Sequence, residues 1–200
     1  MQGDLYEETV PVPRAARFPV ELRPPPGFRP EEPATWPKVE GALEYVGGRL
    51  LYMPPTGDIQ QDVAGAVAGL LDRWVDEQPE FVFGANGAGM VLGGDVRGAD
   101  AAVWRRDALG PYTGGYRRVP PVLAVEVAGR EQGEPELREK AAWYLSRGVK
   151  VVWLVLSDTR EVVVLDTAGE SRHRAGQSLP PCPELPGLAP EVGLLSRRLR

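Results

Sequence analysis

The segment Val-Leu-Ala-Val-Glu-Val at residues 122–127 has the apolar character of a buried strand, yet it contains the carboxylate of Glu126. A second such segment, Gly-Ala-Asp-Ala-Ala-Val-Trp at residues 98–104, contains Asp100. Because side chains alternate along a strand, each carboxylate shares a face with apolar neighbours. A carboxylate in such surroundings needs a counter-charge, hydrogen bonds or a metal ion. Two of them on neighbouring strands predict a magnesium site.

The composition is that of a soluble protein with one domain. The chain has 200 residues and a formal net charge of -5. It has no apolar run near the length of about 20 residues that spans a bilayer, and its N-terminus does not resemble a signal peptide. We therefore expect a cytoplasmic protein without a membrane partner. The single cysteine, Cys182, excludes an internal disulfide and a cysteine-rich zinc site.

Nucleophilic triads and phosphate loops have little support in this sequence. The single histidine, His173, lies in the polar segment 170–174, which we interpret as a solvated turn. The glycine-rich segment 84–94 lacks the Lys-Ser/Thr ending of a phosphate loop, so we interpret it as turns between two strands. The mild negative charge argues against a protein that coats nucleic acid, but it allows a local basic rim, for which Arg97 is one candidate.

The order of the predicted elements indicates an α/β fold. Residues 1–38 form a proline-rich arm with at most one helical turn, and residues 39–200 form the domain. The predicted elements are a hairpin at 42–53 with a turn at Gly47-Gly48, a helix capped by Asp58 and reaching about 77, strands around 81–83, 90–92, 98–104 and 122–127, a helix at 134–147, strands at 151–156 and 162–165, and a short closing helix after 185. This pattern predicts a mixed β-sheet flanked by helices.

Several motifs in this order resemble a known group. They are Leu-Glu-Tyr-Val-Gly-Gly-Arg-Leu at 43–50, Met-Pro-Pro at 53–55, Ala-Asp at 99–100, Val-Glu-Val at 125–127, Glu-Lys-Ala-Ala-Trp-Tyr-Leu-Ser-Arg-Gly-Val at 139–149, Trp-Leu-Val at 153–155 and Leu-Pro-Gly-Leu at 185–188. Together they resemble the PD-(D/E)XK nuclease superfamily and, within it, the Uma-type "putative restriction endonuclease" family. The resemblance covers about residues 41–195 and implies a restriction-endonuclease-like core.

The resemblance implies a catalytic set. Asp100 and Glu126 would bind Mg²⁺ or Mn²⁺ and take part in catalysis. The superfamily's lysine normally follows the glutamate by two residues, but that position is Ala128 in this chain. Lys140, beside the apolar face of the second long helix, is the natural replacement and would assist the attacking water. Glu44 matches an acidic residue before the glycine turn and would be a third catalytic carboxylate.

The resemblance also implies two substrate-binding residues. Gln60 occupies a position where many relatives have a histidine, and its amide can hydrogen-bond a phosphate or a water. Tyr144, four residues after Lys140, repeats a spacing seen in some branches. The chain departs from the pattern at Ala99, where a proline is usual, and at 128–129, where small polar residues are usual. These departures bear on whether the site is active.

The expected function is metal-dependent hydrolysis of phosphodiester bonds in nucleic acid, with DNA as the expected substrate and a homodimer or higher homo-oligomer as a possible assembly. Two alternatives stay open: an inactive nucleic-acid-binding or assembly module of the same fold, and a hydrolase or binding protein for small phosphorylated molecules. At single residues, Glu126 could face solvent at a strand end or pair with an arginine, and Asp100 could be a turn residue after Gly98. Lys140 could pair with Glu136 along the helix.

Overall fold

The computed structural model describes residues 17–197, which form one nine-stranded sheet with helices packed on both faces. The strands are β1 (Val20–Leu22), β2 (Ala42–Val46), β3 (Arg49–Met53), β4 (Phe81–Leu92), β5 (Asp95–Arg105), β6 (Leu123–Val127), β7 (Val151–Leu156), β8 (Glu161–Asp166) and β9 (Gly169–Arg174). The helices are α1 (Asp58–Asp76), α2 (Glu134–Ser146) and α3 (Val192–Leu195). Strands β6 and β7 are parallel and the other pairs are antiparallel, so the predicted mixed α/β fold is confirmed.

Strand β5 is the branch point of the sheet. Strand β4 pairs with one edge of β5 along almost the whole length of β5, from Asp95 to Arg105. Since a strand has only two edges, β2 and β6 must share the other edge of β5. Strand β2 pairs there with Val96, and β6 pairs with residues 101–103. In the described chain, residues 97–100 therefore have no strand partner on this edge, and a gap opens between β2 and β6.

Two apolar cores lie on opposite faces of the sheet. On one face, helix α1 buries a stripe of residues at helical spacing against β5, β6 and β7: Val63, Val67 and Leu71. On the other face, α2 buries Leu137, Ala141 and Tyr144. Full burial of side chains such as Val67 or Leu71 stabilises the fold by about 1.5–3 kcal/mol each. These two layers hold α1 and α2 on either side of the gap.

The prediction of turns is wrong over 84–89, because β4 is one strand from Phe81 to Leu92, and it is right only at 93–94, which form the turn to β5. Its glycines allow close packing of aromatic rings. A Cβ on Gly84 would lie 3.1 Å from Cζ3 of Trp104, and one on Gly89 would lie 2.7 Å from Cδ1 of Tyr116. Glycine inside a strand often marks such a close approach. Gly84 and Gly89 therefore serve close packing, whereas Gly93 and Gly94, both with positive φ, form the turn to β5.

A β-bulge interrupts β4 in its middle. Ala85 pairs with Ala101 and Ala88 pairs with Ala99, so Asn86 and Gly87 together face the single residue Asp100. Asn86 and Gly87 both have positive φ, at 58° and 72°. Bulges increase the local twist and redirect the side chains around them, and they are common next to active sites. Here the bulge lies opposite a predicted catalytic carboxylate.

The predicted hairpin and the two long helices are confirmed. Gly47 and Gly48 connect β2 and β3 with φ values of 56° and 82°, as a tight two-residue hairpin turn requires. Helix α1 has Gly57 as its N-cap, so the prediction that Asp58 caps it is wrong by one residue. The Oδ1 atom of Asp58 accepts a hydrogen bond from the amide of Ile59, within the first turn.

The interpretation of 170–174 as a turn is also wrong. These residues belong to the edge strand β9, where His173 pairs with Val162 of β8. The polar sequence suits an exposed edge, since charged side chains discourage pairing with other chains. Arg172 and Arg174 each donate a hydrogen bond of 2.8 Å to Glu161 of β8.

The described part of the N-terminal arm packs on the domain. Strand β1 pairs with β3, and one 3-10 turn spans Pro33–Thr35. Phe28 and Trp36 pack on Tyr45 and Tyr116, with ring centroids 5.3 and 5.7 Å apart. The domain boundary at residue 38 stays a prediction, and residues 1–16 of the predicted arm lie outside the described residues. Between residues 17 and 197, no helix combines the length and apolarity that spanning a bilayer requires.

Candidate active site

Lys140 lies at the centre of the gap between β2 and β6. Its side chain projects from α2, and its Nζ atom lies 2.9 Å from Oε2 of Glu126 and 3.1 Å from Oε1 of Glu44. It also donates a 3.1 Å hydrogen bond to the carbonyl oxygen of Gly98. Lys140 is 6% exposed. The ammonium therefore joins β2, β5, β6 and α2, and the alternative of a solvated helical pair with Glu136 does not apply.

Glu126 is a buried carboxylate with both oxygens occupied. Oε2 is bound by Lys140, and Oε1 accepts a 2.7 Å hydrogen bond from the hydroxyl of Tyr144. Glu126 is 2% exposed, which excludes the alternative that it faces solvent at a strand end. Lys140 and Tyr144 are four residues apart on α2, so one helix face supplies both partners.

Glu44 is held by two cations. Arg97 of β5 donates from Nε to Oε2 at 2.9 Å, its Nη2 atom lies 2.9 Å from the same oxygen as an ion pair, and Lys140 binds Oε1. The amide of Gly98 also donates to Oε1, at 3.4 Å. Sequence reasoning treated Arg97 only as a candidate for a basic rim. Its position on the strand of Asp100 gave no sign that it would face a carboxylate on β2, because that pairing depends on the sheet topology.

Asp100 lies directly beyond the last registered pair of β5 and β6, Ala101 with Val125. The next residues along the two strands are Asp100 and Glu126. The Oδ2 atom of Asp100 accepts a 2.7 Å hydrogen bond from the amide of Val127. The two predicted metal ligands are therefore cross-strand neighbours at the point where β5 and β6 separate.

Gln60 and Tyr144 occupy different depths of the site. Gln60, near the start of α1, donates a 3.1 Å hydrogen bond to the carbonyl oxygen of Val127. A Cβ on Gly129 would lie 2.0 Å from Oε1 of Gln60, so the glycine after β6 leaves room for this amide. Tyr144 is fully buried behind Glu126. Its hydroxyl contacts the carboxylate, and its role in binding substrate stays a prediction.

The ionisation of the three carboxyl groups differs. Burial raises the pKa of Glu126 to about 7, against the attraction of Lys140 and with the repulsion of Asp100 and Glu44. Burial also raises the pKa of Asp100, although Lys140 and the Val127 amide oppose it. At Glu44 burial acts in the same direction, but Lys140 and Arg97 outweigh it, so its pKa lies below the ordinary value.

Lys140 stays protonated in spite of its burial. Desolvation lowers the pKa of its ammonium, but the charges of Glu126 and Glu44 more than compensate, and the net shift is upward. The group is therefore a permanent hydrogen-bond donor and cation, and it is not a general base. Tyr144 is also held in its neutral form, since burial and the charge of Glu126 raise the pKa of its hydroxyl well above the ordinary value.

A cavity of about 940 Å³ opens onto these residues. Its floor contains Glu44, Asp100, Glu126 and Lys140, and its walls come from α1, the β4 bulge and the loop 130–132. Five of the six predicted site residues line it. The sixth, Tyr144, lies behind Glu126 and does not line the cavity. Between residues 17 and 197, no group of three or more His, Cys, Asp or Glu side chains has an arrangement that could hold a metal ion.

Comparison with known proteins agrees with this fold. The model of the Uma2 family, described as "Putative restriction endonuclease", matches residues 30–196. The chain belongs to the Uma2 family. The crystal structure of a putative nuclease belonging to DUF820 from Anabaena variabilis ATCC 29413 is similar to this Uma2 protein, with a TM-score of 0.73 and 17% sequence identity. The likeness covers 84% of this chain and 96% of that chain, and at this identity it shows the fold alone. No curated protein matches the sequence.

Proposed function

We propose that this Uma2 protein is a metal-dependent nuclease that hydrolyses phosphodiester bonds in nucleic acid, with DNA as its expected substrate. The observation that supports this most is the buried ammonium of Lys140 between Glu44 and Glu126, in a cleft that also contains Asp100. Such a group of charges is costly to bury and is typical of catalytic sites. Family membership supports the same class of reaction.

The residues fit a hard divalent cation held by Asp100 and Glu126. Magnesium binds proteins through one or two carboxylates and keeps several waters, so it does not need three protein ligands. Burial raises the pKa of both carboxyl groups, with repulsion from Glu44 at each of them and from Asp100 at Glu126, and a cation between them would favour their charged forms. When bound, Mg²⁺ or Mn²⁺ would polarise the scissile phosphate and lower the pKa of an attacking water.

The protein's own side chains would stabilise the charge that develops on the phosphate and hold the carboxylates in place. A lysine has three donors, and those of Lys140 contact Glu126, Glu44 and the Gly98 carbonyl. To reach a phosphate, the ammonium must therefore release one of these partners. Glu44 retains Arg97 as its partner if Lys140 leaves it. In this proposal Lys140 moves toward the phosphate and stabilises its developing negative charge, while Tyr144 fixes Glu126.

The test is cleavage of supercoiled plasmid and of single-stranded DNA in the presence of Mg²⁺ or Mn²⁺. Asp100→Asn, Glu126→Gln and Lys140→Met are each expected to reduce cleavage by at least about 100-fold, as the loss of groups that act on the reacting atoms does. Glu139→Gln is the matched control, because this carboxylate is an exposed neighbour of Lys140 on α2. Full cleavage by the Asp100 or the Glu126 variant would remove the catalytic assignment.

One observation favours an inactive nucleic-acid-binding module as a second candidate. Both oxygens of Glu126 already accept a hydrogen bond, from Lys140 and from Tyr144, and the ammonium of Lys140 would repel a metal cation bound at the same carboxylate. Calorimetric titration with Mn²⁺ distinguishes the candidates. The nuclease proposal expects binding that Asp100→Asn abolishes, whereas the inactive module expects none although DNA is still bound. The predicted homodimer stays a prediction, which light scattering would check.

A further inference from the structure

Asp95, at the start of β5, is a buried carboxylate outside the cleft. It is 8% exposed, and its two oxygens accept three hydrogen bonds from two other elements. The amide of Gly47, in the β2–β3 turn, donates to Oδ1 at 2.8 Å. Trp143 of α2 donates from Nε1 to Oδ2 at 2.8 Å, and Arg147, the C-cap residue of α2, donates from Nη2 to the same atom at 3.0 Å. Asp95 therefore connects the elements that carry Glu44 and Lys140.

The partners of Asp95 lie on the same helix as the partners of Glu126. Lys140 and Tyr144 reach the active site, while Trp143 and Arg147, each three residues further on, reach Asp95. Residues at this spacing lie on adjoining rows of one helix face. The rotation of α2 about its axis and its position along that axis allow the hydrogen bonds to Asp95. The same placement of α2 puts Lys140 between Glu44 and Glu126.

A second connection runs through Trp143 itself. The guanidinium of Arg97 lies 5.4 Å from the centre of the Trp143 ring, within the range of a cation–π contact. Arg97 is also the residue that binds Glu44 through two nitrogens. The chain of contacts therefore runs from Asp95 through Trp143 and Arg97 to Glu44, and from there to Lys140.

We infer that Asp95 and Trp143 are positioning residues for the active site: they set the placement of α2 and of Arg97, and through these the placement of Lys140 and Glu44. The expected effect on the rate of cleavage rests on the proposed nuclease function. The expected effect on the placement of Arg97 rests on the contacts alone. A displacement of about 1 Å at a catalytic group can cost about 100-fold in rate, so a small shift of α2 would be measurable.

The experiment compares Asp95→Asn with Arg138→Gln in the full chain. Arg138 is the control, because it also connects α2 to another strand, through Glu170 of β9, at a site away from the cleft. Asp95→Asn is expected to lower kcat for metal-dependent DNA cleavage by about ten-fold with KM unchanged, a partial misplacement on the scale above. Arg138→Gln is expected to leave both parameters unchanged.

A readout that does not need activity is hydrogen exchange of the Arg97 Nε–H group, followed by NMR and identified by its loss in Arg97→Lys. Arg97 is not a hydrogen-bond partner of Asp95, but Asp95→Asn is expected to accelerate this exchange by about five-fold or more, as the weakening of one hydrogen bond would. Trp143→Phe, which keeps the ring and loses the donor, is expected to do the same, and it replaces Asp95→Asn if that variant does not fold.

Exchange at Arg97 that is unchanged in both variants would overturn the inference, and so would an equal acceleration in Arg138→Gln, since Asp95 would then only anchor the helix. If the natural protein cleaves no nucleic acid, the proposed function fails, while the exchange experiment still decides whether Asp95 positions the site.

Discussion

Replacing Glu126 with glutamine should make the protein more stable, by an amount that grows as the pH rises. Glu126 is fully buried, and its pKa is raised from an ordinary value of 4.5 to about 7. A group whose pKa is higher in the folded than in the unfolded state favours folding at low pH, and this contribution is lost as the pH rises through the folded value. The neutral glutamine does not ionise, so it avoids that loss.

The magnitude follows from the two pKa values. At pH 8 the glutamate is ionised in the unfolded chain, whereas in the folded chain burial opposes its ionisation. This difference lowers the free energy of unfolding by about 3 kcal/mol. At pH 5 the folded group stays protonated and the difference falls to about 1 kcal/mol. Glutamine can keep both contacts, since its oxygen can accept from Lys140 and its amide can donate to the hydroxyl oxygen of Tyr144.

Urea unfolding of the natural protein and of Glu126→Gln at pH 5, 6, 7 and 8 measures this difference directly. Titrating groups that are not coupled to Glu126 are common to both proteins and cancel in the comparison. Glu139→Gln, an exposed change on α2, serves as the control for the loss of a glutamate outside the site. If the difference in free energy of unfolding between the two proteins is constant from pH 5 to pH 8, the reasoning is refuted. Ionisation of Glu126 would then not destabilise the folded protein.

Three further changes test the packing of the site. Lys140→Met leaves two buried carboxylates without their shared cation and should lower the free energy of unfolding by about 3–5 kcal/mol at pH 8, measured by urea unfolding. Tyr144→Phe removes the hydroxyl that donates to Glu126 and should cost about 1–3 kcal/mol in the same measurement. Gly89→Ala places a methyl group 2.7 Å from the Tyr116 ring and should lower the stability by about 1–3 kcal/mol.

Each of these has its own control and contrary result. Gly110→Ala adds a methyl group where nothing lies within 4 Å and should be close to neutral, so an equal loss at both glycines would contradict the packing argument. A loss for Lys140→Met that is no larger at pH 8 than at pH 5 would show that the remaining carboxylates do not stay charged. An unchanged stability in Tyr144→Phe would mean that the buried oxygen of Glu126 finds another donor.

Local patterns in the sequence predicted the elements that carry the site. Strand alternation placed Asp100 and Glu126 on faces with apolar neighbours, and helical spacing placed Lys140 and Tyr144 on one side of α2, as the structure has them. These predictions succeed because they depend only on the repeat of a single element. The predictions that failed at 84–89 and around His173 concern segments where packing or edge position outweighs local preference.

The sequence by itself determined which residues could meet: the strands with their buried carboxylates, the helix with its lysine and tyrosine, and the order in which they follow one another. Only the tertiary structure decided that they do meet. The gap arises because β2 and β6 share one edge of β5, and this pairing brings Glu44, Arg97 and Asp95 to partners that lie about 50 residues away in the chain. Such pairings depend on the topology of the whole sheet, which no local pattern specifies.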